Sequence, residues 1–268
     1  MIFSGFVRFI RLIISNKYLI LAMARREIAA RYVGSSLGFV WTFIKPLIMI
    51  GVFWFVFSVG FKSKPMNDIP FVVWLTAGMA PWFCFSEIIM DSTVAVVGNA
   101  NLVKKTIFPA QILPIVKILS GIITHGVFIL ILVVLCLLQG VPLRIQSIQF
   151  IYYLVCFVLL SLGISWLVAA LNVFLRDVGQ MVAVLLQVGF WATPIFWDIN
   201  MMSPTVQKLL KLNPFYYIVQ GYRNSFLDFV PFWYYPMYTI YFWCITLVTL
   251  LVGAYVFRRL KPQFADVL

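Results

Sequence analysis

The chain has 268 residues, of which 63% are hydrophobic and 10% charged, and its mean hydropathy is +1.03. Soluble domains are only about half apolar, so the composition excludes a soluble enzyme and leaves a polytopic membrane protein. The net charge of +12 comes from Lys and Arg that flank apolar spans instead of clustering on a polar face, which argues for membrane orientation and against a nucleic-acid partner.

Residues 1 to 16 predict an amphipathic interface helix. At helical period Ile2, Phe3, Phe6, Phe9, Ile10, Ile13 and Ile14 share one arc, and Ser4, Arg8, Arg11 and Ser15 the other. Arg8 and Arg11 interrupt what would be the apolar region of a secretory signal. Apolar runs long enough to cross a hydrocarbon core of roughly 30 Å follow at 37–61, 69–90, 112–138, 150–174, 178–197 and 234–257. The expectation is therefore an all-α fold with six transmembrane helices, as one domain over 1–268, with five or seven spans as alternatives because Arg176-Asp177 leaves a very short turn before the fifth run and Pro194 falls near its outer end. It divides into a cytoplasmic interface segment 1–36, a six-span core 37–257 and a cytoplasmic tail 258–268.

Placing both termini in the cytoplasm puts Arg8, Arg11, Lys17, Arg25, Arg26, Arg31, Lys104, Lys105, Arg176, Arg258, Arg259 and Lys261 inside. Lys62, Lys64, Arg144, Lys208, Lys211 and Arg223 are then outside, a bias of about two to one for the inner side. Between the last two spans, Pro204, Pro214 and Pro231 break residues 198–233 into apolar pieces too short to cross. They predict short re-entrant or surface helices on the outer face, acceptable at membrane depth where protein or water covers the free backbone groups.

Cys84, Cys136, Cys156 and Cys244 lie in apolar runs without ligand spacing, so no disulfide framework or metal site is expected. The chain has no phosphate-binding GxxxxGK[ST] segment, so ATP-driven work would need another polypeptide. His125, the one histidine, is read as a packed membrane histidine, with a proton relay as the alternative. Glu87 and Asp91, four apart on one helix face, are read as capping or hydrated groups near an inner helix end. Lys45 and Lys117 are read as snorkelling cations, Lys45 with phosphate contact as an alternative. Trp41, Phe53, Trp54, Phe57, Phe190, Trp191, Phe196 and Trp197 are either lipid-facing aromatics or the lining of a passage along which a glycan slides through weak, repeated contacts.

Four motifs in order carry a resemblance. Arg26-Glu27, Arg31-Tyr32, Ser35, Leu37-Gly38, Trp41 and Pro46 form the first, and Asn99 to Pro114 (NANLVKKTIFPAQILP) the second. Leu171 to Val178 (LNVFLRDV) and Leu212 to Asn224 (LNPFYYIVQGYRN) complete them, with the ending FRRLKPQFADVL. Together they resemble the permeases of bacterial ABC transporters that export polysaccharides, most closely the O-antigen exporters. Gln111 departs from the pattern, standing where many members carry an acidic residue.

The resemblance implies a transport subunit of the bacterial inner membrane that is not itself an enzyme, associated with a second copy of itself and two ATP-binding subunits. It implies no cofactor on this chain, with ATP and Mg on the partner ATPase, and a lipid-linked polysaccharide as substrate. Arg31, Tyr32, Asn101, Lys104, Lys105, Phe108 and Pro109 are then candidates for motor coupling, and Arg25, Arg26 and Lys45 for contacts to the lipid phosphate. Asn213, Pro214, Tyr216, Tyr217 and Arg223 are candidates for an outer gate. Teichoic acid, capsule or a small amphiphile are alternative substrates. An integral membrane acyl- or glycosyltransferase is an alternative of another class, disfavoured by the lack of a convergent His/Asp/Glu constellation.

Overall fold

The computed structural model describes residues 11–62, 69–105 and 108–268, and every long element among them is helical. Helix α1 (Lys17–Ala30) is followed by α2 (Trp41–Trp54), which runs on through a wider turn at Phe55–Gly60, and by α3 (Phe71–Thr93). Then come α4 (Ala100–Lys105), α5 (Leu113–Leu138), α6 (Phe150–Phe174) and α7 (Asp177–Ala192). The chain ends with α8 (Pro204–Leu210), α9 (Pro214–Arg223), α10 (Pro236–Leu260) and α11 (Phe264–Val267). Pro204, Pro214 and Pro236 each open their helix, where the missing N–H costs nothing and the fixed φ suits the first turn.

Among the described residues five helices are long and apolar enough to cross a membrane, over 38–60, 71–93, 110–138, 145–174 and 236–267. They coincide with five of the six expected spans. The expected span at 178–197 is instead the 16-residue α7, about 24 Å at 1.5 Å per residue. Its apolar run continues to Trp197, but the residue before a proline avoids helical geometry, and Thr193, preceding Pro194, is extended at ψ 132°. Most of the expected helix at 1–16 lies outside the described residues.

Helix α3 is the hub, buried along most of its length between α5, α6, α7 and α9. Helices α6 and α10 make the closest approach: a Cβ on Gly163 would sit 2.7 Å from the backbone of Thr249 and Leu250, and one on Gly253 would meet the Gly163 carbonyl. Small residues at such a crossing let two backbones meet, the commonest route to helix packing in lipid. Helix α2 turns only Thr42, Pro46 and Ile50 inward, a stripe at four-residue spacing, and leaves Leu47, Ile48 and Val52 more than half exposed. On α7, Val178 and Val182 are buried while Met181, Val184, Leu185 and Val188 are exposed.

One end of the bundle gathers α1, the C-terminal end of α3, α4 and the chain end. Phe264 of α11 is fully buried, its ring against Phe174 and Phe257. This end carries Arg25, Arg26, Arg31, Lys104, Arg176, Arg258 and Arg259 and is called the basic face below. At the opposite face, α8 and α9 lie between the last two expected spans. Helix α9 enters the bundle among α3, α6 and α10, and its Tyr222 reaches His125, midway along α5.

Candidate functional site

The long helices bring most of the expected passage aromatics into one cluster. Phe53 of α2 and Phe57 of the wider turn that continues it stack with centroids 6.3 Å apart, and both reach Phe196, at 6.1 and 5.0 Å. Phe190 touches Phe53 at 5.7 Å and Phe196 at 5.4 Å, while Trp191 meets Phe196 edge-on at 4.9 Å. Trp197 donates its indole N–H to the Trp191 carbonyl at 3.2 Å. Trp41 and Trp54 join no ring contact among the described residues, and Trp54 is exposed.

Beside this cluster, α2, α3 and α7 border an open cleft of about 340 Å³, lined by Met49 and Phe53, by Trp82 and Phe83, and by Gln187 and Phe190 among others. Trp82 and Phe83 approach Phe190 at 6.2 and 6.0 Å. Sequence reasoning passed over both, because α3 is apolar all round and gives no facial signal. Helix α7 seats against Trp82 through Gly189, where a Cβ would come within 2.7 Å of the indole. Ser86 and Gln187 bring polar groups to the wall, yet the Ser86 hydroxyl is spent on the Trp82 carbonyl at 2.9 Å. Such a wall offers ring faces and few fixed hydrogen-bonding positions. It can guide an amphiphilic chain without holding it. No group of three metal-ligating side chains occurs among the described residues.

On the basic face, charges lock α1 to the bundle. Arg31 donates through Nη1 to Glu87 and through Nη2 to Asp91 at 3.0 Å, and Lys117 of α5 donates to Glu27 of α1 at 2.5 Å. Glu87 and Asp91 thus serve as the partly hydrated seat of Arg31, and Lys117 is an ion-pair partner of α1, not a snorkelling cation. The Tyr32 hydroxyl meets that of Thr42 at 2.5 Å. Gly34, at φ +78°, allows the chain to turn between α1 and α2, a geometry that side chains disfavour. Phe108 packs on the small cluster of Ile20, Ala24, Ile112 and Val116 between α1 and α5.

Asn101 and Lys104 are exposed on α4, which rests on α11; Pro109 is half-buried and the Lys105 side chain lies outside the described residues. The backbone carbonyl of Gln111 accepts the Trp166 indole N–H at 3.1 Å, while the Gln111 side-chain oxygen is buried without a hydrogen bond among the described residues. Arg25, Arg26 and Lys45 are exposed and form no ion pair among the described residues.

At the opposite face the expected gate residues are tied together. Asn213 caps α9 by accepting from the Phe215 N–H at 3.0 Å and donates to the Thr193 hydroxyl at 2.9 Å. Pro214 opens α9. Tyr217 shares hydrogen bonds with Tyr152 at 3.1 Å and Thr239 at 3.0 Å. Tyr216 is half-buried beside them. Arg223, expected as an outer topological charge, is 3% exposed. It donates to the carbonyls of Pro194 and Ile195 at 2.8 and 2.7 Å, and its guanidinium lies 3.5 Å from the centre of the Trp74 ring. Gly78 makes room for it, since a Cβ there would stand 2.8 Å from Nη2. His125 is a packed histidine hydrogen-bonded to Tyr222 at 2.9 Å, as expected of a structural role.

Comparison with known proteins agrees with this architecture. Residues 18–227 match the model of the family described as "ABC-2 type transporter". An O-antigen export system permease protein RfbA of Klebsiella pneumoniae is 26% identical over 255 residues, covering 93% of this chain and 95% of that protein. One of the same name in Myxococcus xanthus is 27% identical over 224 residues, covering 83% and 85%. The polysialic acid transport protein KpsM of Escherichia coli is 24% identical over 254 residues, covering 91% and 93%.

Proposed function

The chain belongs to the ABC-2 type transporter family, and from that premise we propose that it is the transmembrane permease of an exporter carrying undecaprenyl-linked O-antigen polysaccharide across the bacterial inner membrane. The observation that carries this reading is the aromatic cleft between α2, α3 and α7, flanked by the open apolar faces of α2 and α7. Two copies apposed along those faces bring two half-clefts together into one passage lined by Phe53, Trp82, Phe83 and Phe190. Ring faces pack on the C–H faces of sugars, and weak, repeated contacts let a long chain move. Helix α7 makes the sixth crossing together with residues 193–203, and α8 with α9 forms a re-entrant hairpin that gates the outer end.

Both termini are cytoplasmic in this account. Two ATP-binding subunits, which supply ATP and Mg, dock on the basic face against α4 and residues 108–109. Their closure moves α1, and the seats of Arg31 on α3 and of Glu27 on Lys117 pass that motion to the two helices at the centre of the bundle. The exposed Arg25, Arg26 and Lys45 stand where cationic donors meet the lipid pyrophosphate.

Deleting the gene in its host and extracting lipid-linked glycans tests the reading. Loss of the surface O-antigen with the lipid-linked polymer trapped inside is expected, and an unchanged surface with no trapped glycan overturns it. The likeness to the polysialic acid transport protein supports a second reading, capsule export, which the same extraction separates by the sugar that accumulates.

A further inference from the structure

A second cavity, of about 560 Å³, opens on the opposite face, walled by the turn after α7, the α8–α9 hairpin, the segment around Asp228 and the first turns of α10. Its volume lies within the roughly 300–1,000 Å³ usual for small-molecule sites. It shares no lining residue with the aromatic cleft.

The groups facing this cavity divide into those spent on the fold and those left over. Tyr217 is held by Tyr152 and Thr239, and Tyr241 donates to the Leu212 carbonyl at 2.6 Å. The hydroxyls of Tyr216, Tyr235 and Tyr238, by contrast, make no hydrogen bond among the described residues, and the Asp228 carboxylate has neither a hydrogen bond nor an ion pair there. Surrounding protein takes water from Asp228 and raises its carboxyl above the ordinary value, with Arg223 opposing the shift. Asp198 uses one oxygen on the Asn200 N–H at 2.9 Å and keeps the other.

The surplus is therefore ring faces, phenolic hydroxyls and carboxylate oxygens around one exposed-side cation, Lys211, whose Nζ lies 5.8 Å from the centre of the Tyr238 ring. An anion would meet two carboxylates, while Arg223 spends Nη1 and Nη2 on two carbonyls and keeps only a buried Nε without a partner among the described residues. A bare metal ion lacks a third ligating side chain among the described residues. A polyol suits every surplus group at once. Its hydroxyls donate to Asp228 and Asp198 and accept from the tyrosines, and its apolar face lies on an aromatic ring.

We propose that this cavity is a saccharide-binding site, which takes a short, uncharged stretch of glycan on the face where the passage ends. Its function as a holding site for the emerging chain rests on the export reading; the binding itself does not.

The test measures binding of oligosaccharides, released by mild acid from the host's surface polysaccharide, to the purified full-length chain in detergent by saturation-transfer NMR and calorimetry. Saturable binding is expected, weakened at least tenfold in Tyr238→Ala and in Asp228→Asn and unchanged in Lys208→Ala. Tyr238→Phe, which keeps the ring, is expected to retain most of the affinity and guards against misfolding as an explanation. Absence of saturable binding, equal affinity in Tyr238→Ala and Asp228→Asn, or displacement of the sugar by inorganic phosphate or Ca²⁺ would overturn the proposal. Trapped glycan in the deletion strain without oligosaccharide binding defeats the site and leaves the export reading standing. Oligosaccharide binding without trapped glycan does the reverse.

Discussion

Replacing Arg31 by Met should release the end of α1 from the bundle. The guanidinium holds Glu87 and Asp91, its side chain being 22% exposed and theirs 36% and 38%. Hydrogen bonds to charged groups contribute about 1.5–3 kcal/mol each when well desolvated, and exposed ion pairs only about 0–1 kcal/mol. Partial exposure places the whole seat at about 1–2 kcal/mol, which is roughly a five- to thirtyfold change in how often this end of α1 undocks. Arg31→Met also leaves two carboxylates four residues apart on one helix face, a repulsive arrangement. Arg31→Met with Glu87→Gln and Asp91→Asn removes that repulsion and should recover part of the loss. Arg31→Lys should be intermediate, since a point charge does not span both carboxylates as a guanidinium fork does. The assay is hydrogen exchange of residues 17–34 in detergent. Unchanged exchange in Arg31→Met, or a triple variant as open as the single one, would refute the reasoning.

Gly163→Ala drives a methyl into the Thr249–Leu250 backbone and should cost about 1–3 kcal/mol, read as a lower thermal midpoint in detergent; an unchanged midpoint would deny the close α6–α10 crossing. Tyr222→Phe strands the Nε2 of His125 in a fully buried setting and should cost about 1–3 kcal/mol, with loss of trypsin resistance across α9 as the readout. Lys104→Glu with Lys105→Glu should lower ATPase stimulation in the assembled transporter while leaving the thermal midpoint of the isolated chain intact. Equal stimulation would contradict the proposed docking of the ATP-binding subunits against α4.

The spans were legible where an apolar run and a helix share the same ends, as in α5 and α6. At α7 the apolar run through Ile195, Phe196 and Trp197 outlasts the helix, since Pro194, already a reason to doubt this span, breaks the backbone where hydropathy alone does not. Aromatic abundance allowed either lipid-facing rings or a passage, and the partners of Phe190 on α3 went unseen, since α3 is buried along most of its length and its periodicity marks no single face. The ion seats were equally hidden: Arg31 and Glu87 are 56 positions apart, and Lys117 and Glu27 are 90 apart, so only tertiary packing brings them together. Arg223 was counted as an outer charge because a positive residue near an apolar span ordinarily marks orientation; carbonyls freed by the turn at Pro194 and Ile195 hold it inside instead.

The most direct test of the central claim is photocrosslinking in the assembled transporter, with a benzophenone residue at position 190 and, separately, at position 247. Phe190 lines the cleft, whereas Leu247 is 57% exposed on the outer side of α10. Lipid-linked glycan should be captured at position 190 during ATP turnover and not at 247. Capture at 247 alone, or equally at both, would contradict a passage between α2, α3 and α7.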